Sequence, residues 1–115
     1  MPLLKLHTSV SVPEEKKDEL VKALSKTVAS GIGKPENYMM VTISKGHFCM
    51  GGEVAPAAFA DIRSIGGLQE DVNKKLSEQI CSLLKEKLGI ASDRVYLNFT
   101  NVSASDWGWN NGTFG

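Results

Sequence analysis

The sequence has no long hydrophobic run and no excess of charge of either sign. Its 13 Lys and Arg balance its 13 Asp and Glu, so it lacks the basic surface with which general nucleic-acid binders displace counterions from phosphates. No apolar stretch approaches the roughly 18 residues that a membrane span needs. The first residues, Met1 to His7, turn polar too early for a signal peptide. We therefore expect a cytoplasmic protein that binds neither nucleic acid nor membrane. If the protein is also secreted, we expect a non-classical route.

Familiar catalytic and metal-binding motifs are also missing. The chain contains no GxSxG, HExxH, Walker or GxGxxG pattern. Its two cysteines, Cys49 and Cys81, lie far apart without a CxxC motif or a histidine cluster. We therefore expect two buried free thiols, no metal site and no cofactor.

A strand, a helix and a second strand are predicted in the first half of the chain. Residues 3–8 alternate between apolar and polar side chains, as in a half-buried strand. A helix is predicted over about 12–30, where leucine and valine recur every four residues after the capping box Ser11–Glu14. It should end at Gly31 or Gly33, since glycine is favoured just after a helix.

The same pattern repeats in the second half. Residues 39–44 close the first unit, and an apolar strand over 57–65 opens the second. A helix spanning Val72 to Leu88 and a strand over 95–99 follow. This repeat predicts a single α+β domain over 1–115, with two split β-α-β units forming a four-stranded mixed sheet and two helices on one face. The other face would be uncovered and would invite burial against copies of the chain.

Few residues stand out as candidates for chemistry. Pro2 follows the initiator methionine, and loss of Met1 would leave a secondary amine whose pKa an apolar pocket would lower towards neutrality; Pro2 could equally be only the start of the first strand. Lys34 lies in the tight connector Gly33-Lys34-Pro35, where it is either a cation at a cleft or a solvated surface charge. Tyr96 and Asn98 are two residues apart on a strand and should share a face, either as a polar pair or as a packed ring and a strand end.

Together these residues form part of a set of motifs, in order along the chain, that resembles the macrophage migration inhibitory factor family of the tautomerase superfamily. The resemblance covers essentially the whole chain, and its motifs are Pro2, Gly33-Lys34-Pro35, Gly51-Gly52, Ser64-Ile65-Gly66, the segment from Asp93 to Asn98 and the segment from Trp109 to Phe114. It implies a tautomerase fold assembled as a homotrimer, with three sheets forming a barrel and the active sites lying between subunits.

The resemblance also implies roles for individual residues. Pro2 would be the catalytic base, and Lys34 would bind the substrate's carboxylate. The main chain at Ser64 and Ile65 would shape the pocket floor. The remaining substrate-binding residues would be Tyr96 and Asn98, supplied by the adjacent subunit, and the apolar walls Tyr38, Trp109 and Phe114.

The implied activity is keto–enol tautomerisation of small aromatic keto acids. Phenylpyruvate, 4-hydroxyphenylpyruvate and dopachrome, as its D-dopachrome methyl ester, are the substrates expected from the resemblance. The alternative is a cytokine-like ligand of a CD74-type cell-surface receptor in which the pocket is incidental. The chain departs from the family's cytokines at Ala57-Ala58-Phe59-Ala60, where those members carry a CxxC motif, and at Arg63, Val102 and Trp107 near the expected pocket. Thiol-oxidoreductase activity is therefore not expected.

Overall fold

Two helices pack on one face of a four-stranded sheet in the computed structural model, which describes all 115 residues. The helices of 19 residues each are α1 (Glu14–Ile32) and α2 (Glu70–Leu88). The sheet strands are β1 (Pro2–Thr8), β2 (Met40–Lys45), β3 (Ala58–Ser64) and β4 (Val95–Asn101). A terminal hairpin, β5 (Gly108–Trp109) and β6 (Gly112–Thr113), lies outside this sheet.

The strand order β2-β1-β3-β4 confirms the two predicted β-α-β units. Within each unit the strands are parallel, β1 with β2 and β3 with β4, as a helical crossover requires. The units meet where β1 and β3 pair antiparallel, from Pro2 opposite Ser64 to Thr8 opposite Ala58. The fold is therefore the predicted α+β arrangement with a mixed sheet.

The core lies between the sheet and the helices. Alternate residues of β1 and β3, such as Leu4, Leu6 and Ile62, are buried on the helix side. They pack with Leu24 of α1 and Leu76 of α2, which belong to the apolar stripes that recur every four residues. Both ends of β1 are covered as well, since Pro2 and Thr8 are buried. The core thus fixes the position of the chain's first residues.

The predicted start of α1 is wrong, whereas one of the two predicted ends is confirmed. The helix begins at Glu14 after Pro13, which provides no side-chain cap. Ser11 lies too far upstream to act as the N-cap, and its Oγ accepts a hydrogen bond from Lys45 Nζ at 2.6 Å instead. The helix ends before Gly33, whose φ of +79° is the left-handed conformation that glycine adopts readily.

The sheet face opposite the helices is uncovered, as predicted, but it is polar along its centre. Lys5 lies opposite Asp61 in the antiparallel pair, and Arg63 donates a hydrogen bond to Asp61 at 3.2 Å. Large exposed apolar side chains are found nearer the margins, with Met40 65% and Tyr96 66% exposed. A second copy that covers this face therefore has to accommodate charge at its centre and apolar contacts at its edges.

The prediction of two buried thiols is wrong. Cys49 is exposed in the glycine-rich connection between β2 and β3, and Cys81 is partly exposed on the flank of α2. Partial burial raises the pKa of the Cys81 thiol, which keeps it in the less reactive thiol form.

Neither helix has the length and apolar character needed to span a membrane.

The connection between β2 and β3 is held by one side chain, Arg94. Its guanidinium donates hydrogen bonds to four main-chain carbonyl oxygens of this connection, those of Met50, Glu53, Ala55 and Pro56. Arg94 comes directly before β4. This clamp therefore lies at the end of β4 opposite to Asn101.

Candidate active site

Pro2 begins β1 at one corner of the sheet. It is buried and lies opposite Ser64, the last residue of β3. The carbonyl oxygen of Thr8 accepts a hydrogen bond from Gly46 just beyond β2, so the main chain of β1 faces β2 at every second residue from Thr8 back to Pro2. The nitrogen of Pro2 is thus directed to the β2 side, the side on which Lys34 and Tyr38 precede that strand.

Lys34 is placed by the C-terminus of α1. The amide of Gly33 bonds to the carbonyl oxygen of Ser30, and the amide of Lys34 to that of Ala29 at 2.9 Å. These two bonds form a Schellman motif, which ends the helix and fixes the direction of the chain. The ammonium of Lys34 then donates a hydrogen bond to the carbonyl oxygen of Ile65 at 2.5 Å. The predicted cation and the predicted pocket floor are therefore in direct contact.

The turn that carries Ile65 packs tightly against the end of α1. Gly66 and Gly67 follow it with φ of +73° and +84°, where a side chain would be strained. A Cβ on Gly67 would also lie 2.8 Å from Cγ2 of Ile32 and 3.6 Å from Cε of Lys34. The second glycine therefore allows the turn and the lysine to lie side by side.

The charge of Lys34 affects the amino terminus. Burial first, and then the positive charge of Lys34, lowers the pKa of the Met1 α-amino group from its ordinary value of 8.0. Both causes disfavour the ammonium form. Pro2 is one residue further along the same strand and is more deeply buried than Met1. An amine at this corner is therefore held in an environment that favours its neutral, basic form.

Ser64 lies beside Pro2 but faces the helices. Its side chain is fully buried, and its hydroxyl has no hydrogen-bond partner. The main chain of Ser64 faces the other way along the sheet, since its carbonyl oxygen accepts a hydrogen bond from Val102 at 2.8 Å. The corner thus brings together Pro2, Lys34, Ser64 and Ile65, four of the predicted site residues.

Three aromatic side chains form a cluster next to this corner. Tyr38 packs edge-on against Trp109 and Phe114, with ring centroids 5.4 and 5.9 Å apart, and the last two rings stack at 5.4 Å. Tyr38 is two residues before Met40, the parallel partner of Leu3, which places it near the start of β1. The three predicted wall residues therefore form one apolar surface near the amino terminus.

The hairpin that carries two of these rings was missed by the sequence analysis. Asn110 and Asn111 form its turn, with φ of +49° and +68°, and asparagine tolerates these values better than most residues. The Asn-Asn-Gly segment is a recognisable signal for such a turn. Its strands are only two residues each, too short for a detectable alternation.

Tyr96 and Asn98 are not part of this corner within one chain. They share the uncovered sheet face, as predicted, and are exposed. Their partners in β3 are Phe59 and Asp61. Pro2 instead pairs with Ser64, whose partner in β4 is Asn101 at the far end of that strand. At about 3.3 Å per residue, Tyr96 is some 16 Å further along the sheet than Asn101, the β4 residue aligned with Pro2. A single chain therefore cannot bring all the predicted residues together.

Two cavities lie away from this corner. One of about 230 Å³ is at the opposite end of β1 and β2, and its lining includes Thr8, Val12 and Lys45. A second of about 230 Å³ lies between the start of α1 and the end of α2. The corner at Pro2 thus combines a terminal amine of lowered pKa, the cation Lys34 and an aromatic surface.

Comparison with known proteins finds relatives along the whole chain. The family model described as macrophage migration inhibitory factor (MIF) matches residues 1–115. The chain is 38% identical to a macrophage migration inhibitory factor homolog of Trichuris trichiura over 92% of this chain and 95% of that protein. It is 35% identical to the homolog of Trichinella spiralis over 99% of this chain and all of that one.

Solved structures show the same fold. A macrophage migration inhibitory factor-like protein from Entamoeba histolytica superposes with a TM-score of 0.93 at 34% identity, covering 98% of each chain. The protein from Toxoplasma gondii gives the same TM-score, 0.93, at 34% identity, covering 97% of this chain and 99% of that one. The match along the full length, in sequence and in fold, shows that this chain belongs to the macrophage migration inhibitory factor family.

Proposed function

We propose that the protein is a keto–enol tautomerase that uses the secondary amine of Pro2 as its general base after removal of Met1. The observation that carries this proposal is the corner itself, where burial and then Lys34 lower the pKa of the Met1 α-amino group, one residue before the more deeply buried Pro2. Lys34 also supplies a cation that can pair with a carboxylate. A base and an anion-binding group at one place are what proton removal next to the carbonyl of a keto acid requires.

The reaction needs only proton transfers. The neutral amine of Pro2 takes a proton from the carbon next to the substrate's keto group, and the electron pair of that C–H bond moves to form the enolate. Lys34 holds the carboxylate and, with its positive charge, favours the developing negative charge. The prolinium then returns the proton to the enolate oxygen, which gives the enol and restores the neutral amine. No cofactor takes part, because oxidation state and atoms are balanced throughout.

The aromatic surface favours planar, aromatic substrates. Tyr38 and Trp109 are 42% and 52% exposed and offer their rings beside the base. Phenylpyruvate and 4-hydroxyphenylpyruvate combine an aromatic ring with a keto acid, and they therefore suit both the rings and Lys34. Dopachrome and its methyl ester are further candidates, and the ester tests the contribution of the carboxylate.

We also propose that the active unit is a homotrimer. Tyr96 and Asn98 lie exposed on the uncovered face, too far along the sheet to serve Pro2 of their own chain. A neighbouring copy could supply them, as the family resemblance implies. Analytical ultracentrifugation should give about three times the chain mass of 12.4 kDa. A monomer with full activity would contradict this assembly.

A pH–rate profile is the direct test of the proposed base. For phenylpyruvate we expect kcat/KM to rise with pH as the amine loses its proton, and to level off above its pKa. Burial and Lys34 lower the pKa of the Met1 α-amino group, and we expect them to act in the same way on the amine of Pro2. The midpoint should therefore lie below the ordinary range of about 7.7–8.0 for an α-amino group. A profile that is flat across this range would contradict an amine base.

Receptor binding is a separate proposal. Membership of a family named for an inhibitor of macrophage migration supports a second candidate function, a cytokine-like ligand of a cell-surface receptor of the CD74 type, whether the protein stays in the cytoplasm or is also released. The family assignment alone carries this proposal, whereas the geometry of the corner carries the enzymatic one. A catalytically inactive variant separates them.

A further inference from the structure

We infer that Asn101 is a positioning residue for carboxylate binding: it holds the turn whose Ile65 carbonyl orients the ammonium of Lys34. The inference rests on the proposed function, because it assigns the carboxylate to Lys34. It is carried by hydrogen bonds of the end of β4 that the sequence did not reveal.

The side chain of Asn101 pairs with both main-chain polar groups of Leu68. Its Oδ1 accepts a hydrogen bond from the Leu68 amide at 3.2 Å, and its Nδ2 donates one to the Leu68 carbonyl at 3.0 Å. An amide side chain that makes both bonds replaces one rung of a strand ladder. Leu68 itself is only 6% exposed, so its main chain has little access to other partners.

The neighbouring residue fixes the other end of the same turn. The amide of Val102 bonds to the carbonyl oxygen of Ser64 at 2.8 Å. Two consecutive residues at the end of β4, Asn101 and Val102, therefore hold both ends of the segment 64–68, and the two glycines with positive φ lie between them. Glycine has the largest conformational freedom of all residues, so this segment depends on such external contacts for one defined shape.

The shape of the turn determines where Lys34 points. The ammonium of Lys34 donates its hydrogen bond to Ile65, the second residue of the segment. Ile32 and Lys34 lie against Gly67 on the other side of the turn. Loss of the Asn101 bonds would release Leu68 and allow the Ile65 carbonyl to move, and the ammonium would lose its fixed position without losing its charge.

The test compares an aromatic acid with its uncharged ester. Phenylacetate has no keto group to tautomerise, so its affinity reports on the carboxylate contact independently of turnover, and methyl phenylacetate lacks the charge. Asn101→Ala should weaken the binding of phenylacetate by about tenfold, which is the effect of losing much of one charge-assisted hydrogen bond. The affinity for the ester should change by less than about twofold, and the amide of Leu68 should exchange its hydrogen faster than in the wild type.

Arg94→Ala is the matched control. Arg94 clamps a different connection through its own main-chain hydrogen bonds at the opposite end of β4. Its loss should lower the melting temperature at least as much as Asn101→Ala, yet leave the ratio of acid to ester affinity unchanged. If this ratio changes equally in both variants, Asn101 contributes only to the overall stability of the fold, and the inference is overturned.

The remaining outcomes separate the inference from the proposed function. If the wild type binds phenylacetate in an Asn101-dependent way but does not turn over phenylpyruvate, the inference stands and the tautomerase proposal fails. If phenylpyruvate is turned over and the acid-to-ester ratio of Asn101→Ala equals that of the wild type, the inference fails and the tautomerase proposal stands. Absence of phenylacetate binding to the wild type also overturns the inference.

Discussion

Replacing Pro2 by glycine should lower kcat/KM for phenylpyruvate by about 10²–10⁴-fold, the usual contribution of a general base. The variant retains an amine at the terminus after Met1 is removed, but a flexible primary amine lacks the ring that fixes its nitrogen at the start of β1. The rate is to be measured for both directions of the tautomerisation at saturating and at low substrate concentration. Pro13→Gly, at an exposed proline before α1, should leave the rate unchanged.

A retained residue before Pro2 should have the same effect as the substitution. Any residue there converts the basic amine into an amide nitrogen, which has no proton to exchange and no basic lone pair. Intact mass should therefore show a native chain that lacks Met1, and a variant with one alanine inserted before Pro2 should be inactive although it folds. Full activity in a protein that keeps Met1, or in Pro2→Gly, would contradict the proposed base.

The Pro2→Gly protein also separates catalysis from receptor binding. If it binds a receptor of the CD74 type as the wild type does, signalling does not depend on the pocket chemistry. If receptor binding and tautomerase activity are both lost while the assembly and the melting temperature are kept, the surface around Pro2 serves both. That result would count against a ligand in which the pocket is incidental.

Local patterns in the sequence were sufficient for most of the fold. Apolar side chains recur every second residue in β1 and β3 and every fourth residue in the helices, and these periods are set by the backbone geometry itself. The two β-α-β units in one mixed sheet followed from the repeat of this pattern, whereas the order of the strands was not predicted. The start of α1 was predicted wrongly because Ser11 and Glu14 have the spacing of a capping box, although Pro13 is the residue that precedes the helix.

The candidate site was less accessible to sequence reasoning, because its contacts join distant parts of the chain. Lys34 and Ile65 are 31 residues apart and meet through a side chain and a main-chain carbonyl, which no local pattern encodes. Pro2 and Lys34 were identified as a pair only through the resemblance to the family. Asn101 was missed because it bonds to the main chain of Leu68. Every residue type carries main-chain polar groups, so such a partner cannot be recognised from the sequence.

Lys34→Gln should affect substrate binding and the pH dependence at the same time. The affinity for phenylpyruvate should fall by about 10–100-fold, because a hydrogen bond to a charged group typically contributes about 1.5–3 kcal/mol. Turnover of D-dopachrome methyl ester, which has no carboxylate to pair with the lysine, should be much less affected. Lys22→Gln removes an exposed charge elsewhere on α1. It should change neither the affinity for phenylpyruvate nor the turnover of the ester.

The direction of the pH shift identifies the lysine's second effect. Burial lowers the pKa of the Met1 α-amino group, and the positive charge of Lys34 lowers it further; we expect both causes to act on the amine of Pro2 as well. Removing the charge removes only the second of these causes, so the pKa should rise towards its ordinary value without reaching it. The ascending limb of the pH–rate profile should therefore move to higher pH in Lys34→Gln and stay in place in Lys22→Gln. A limb that moves to lower pH would contradict the stated effect of the Lys34 charge. A limb that does not move while affinity is lost would mean that Lys34 binds the carboxylate without tuning the base.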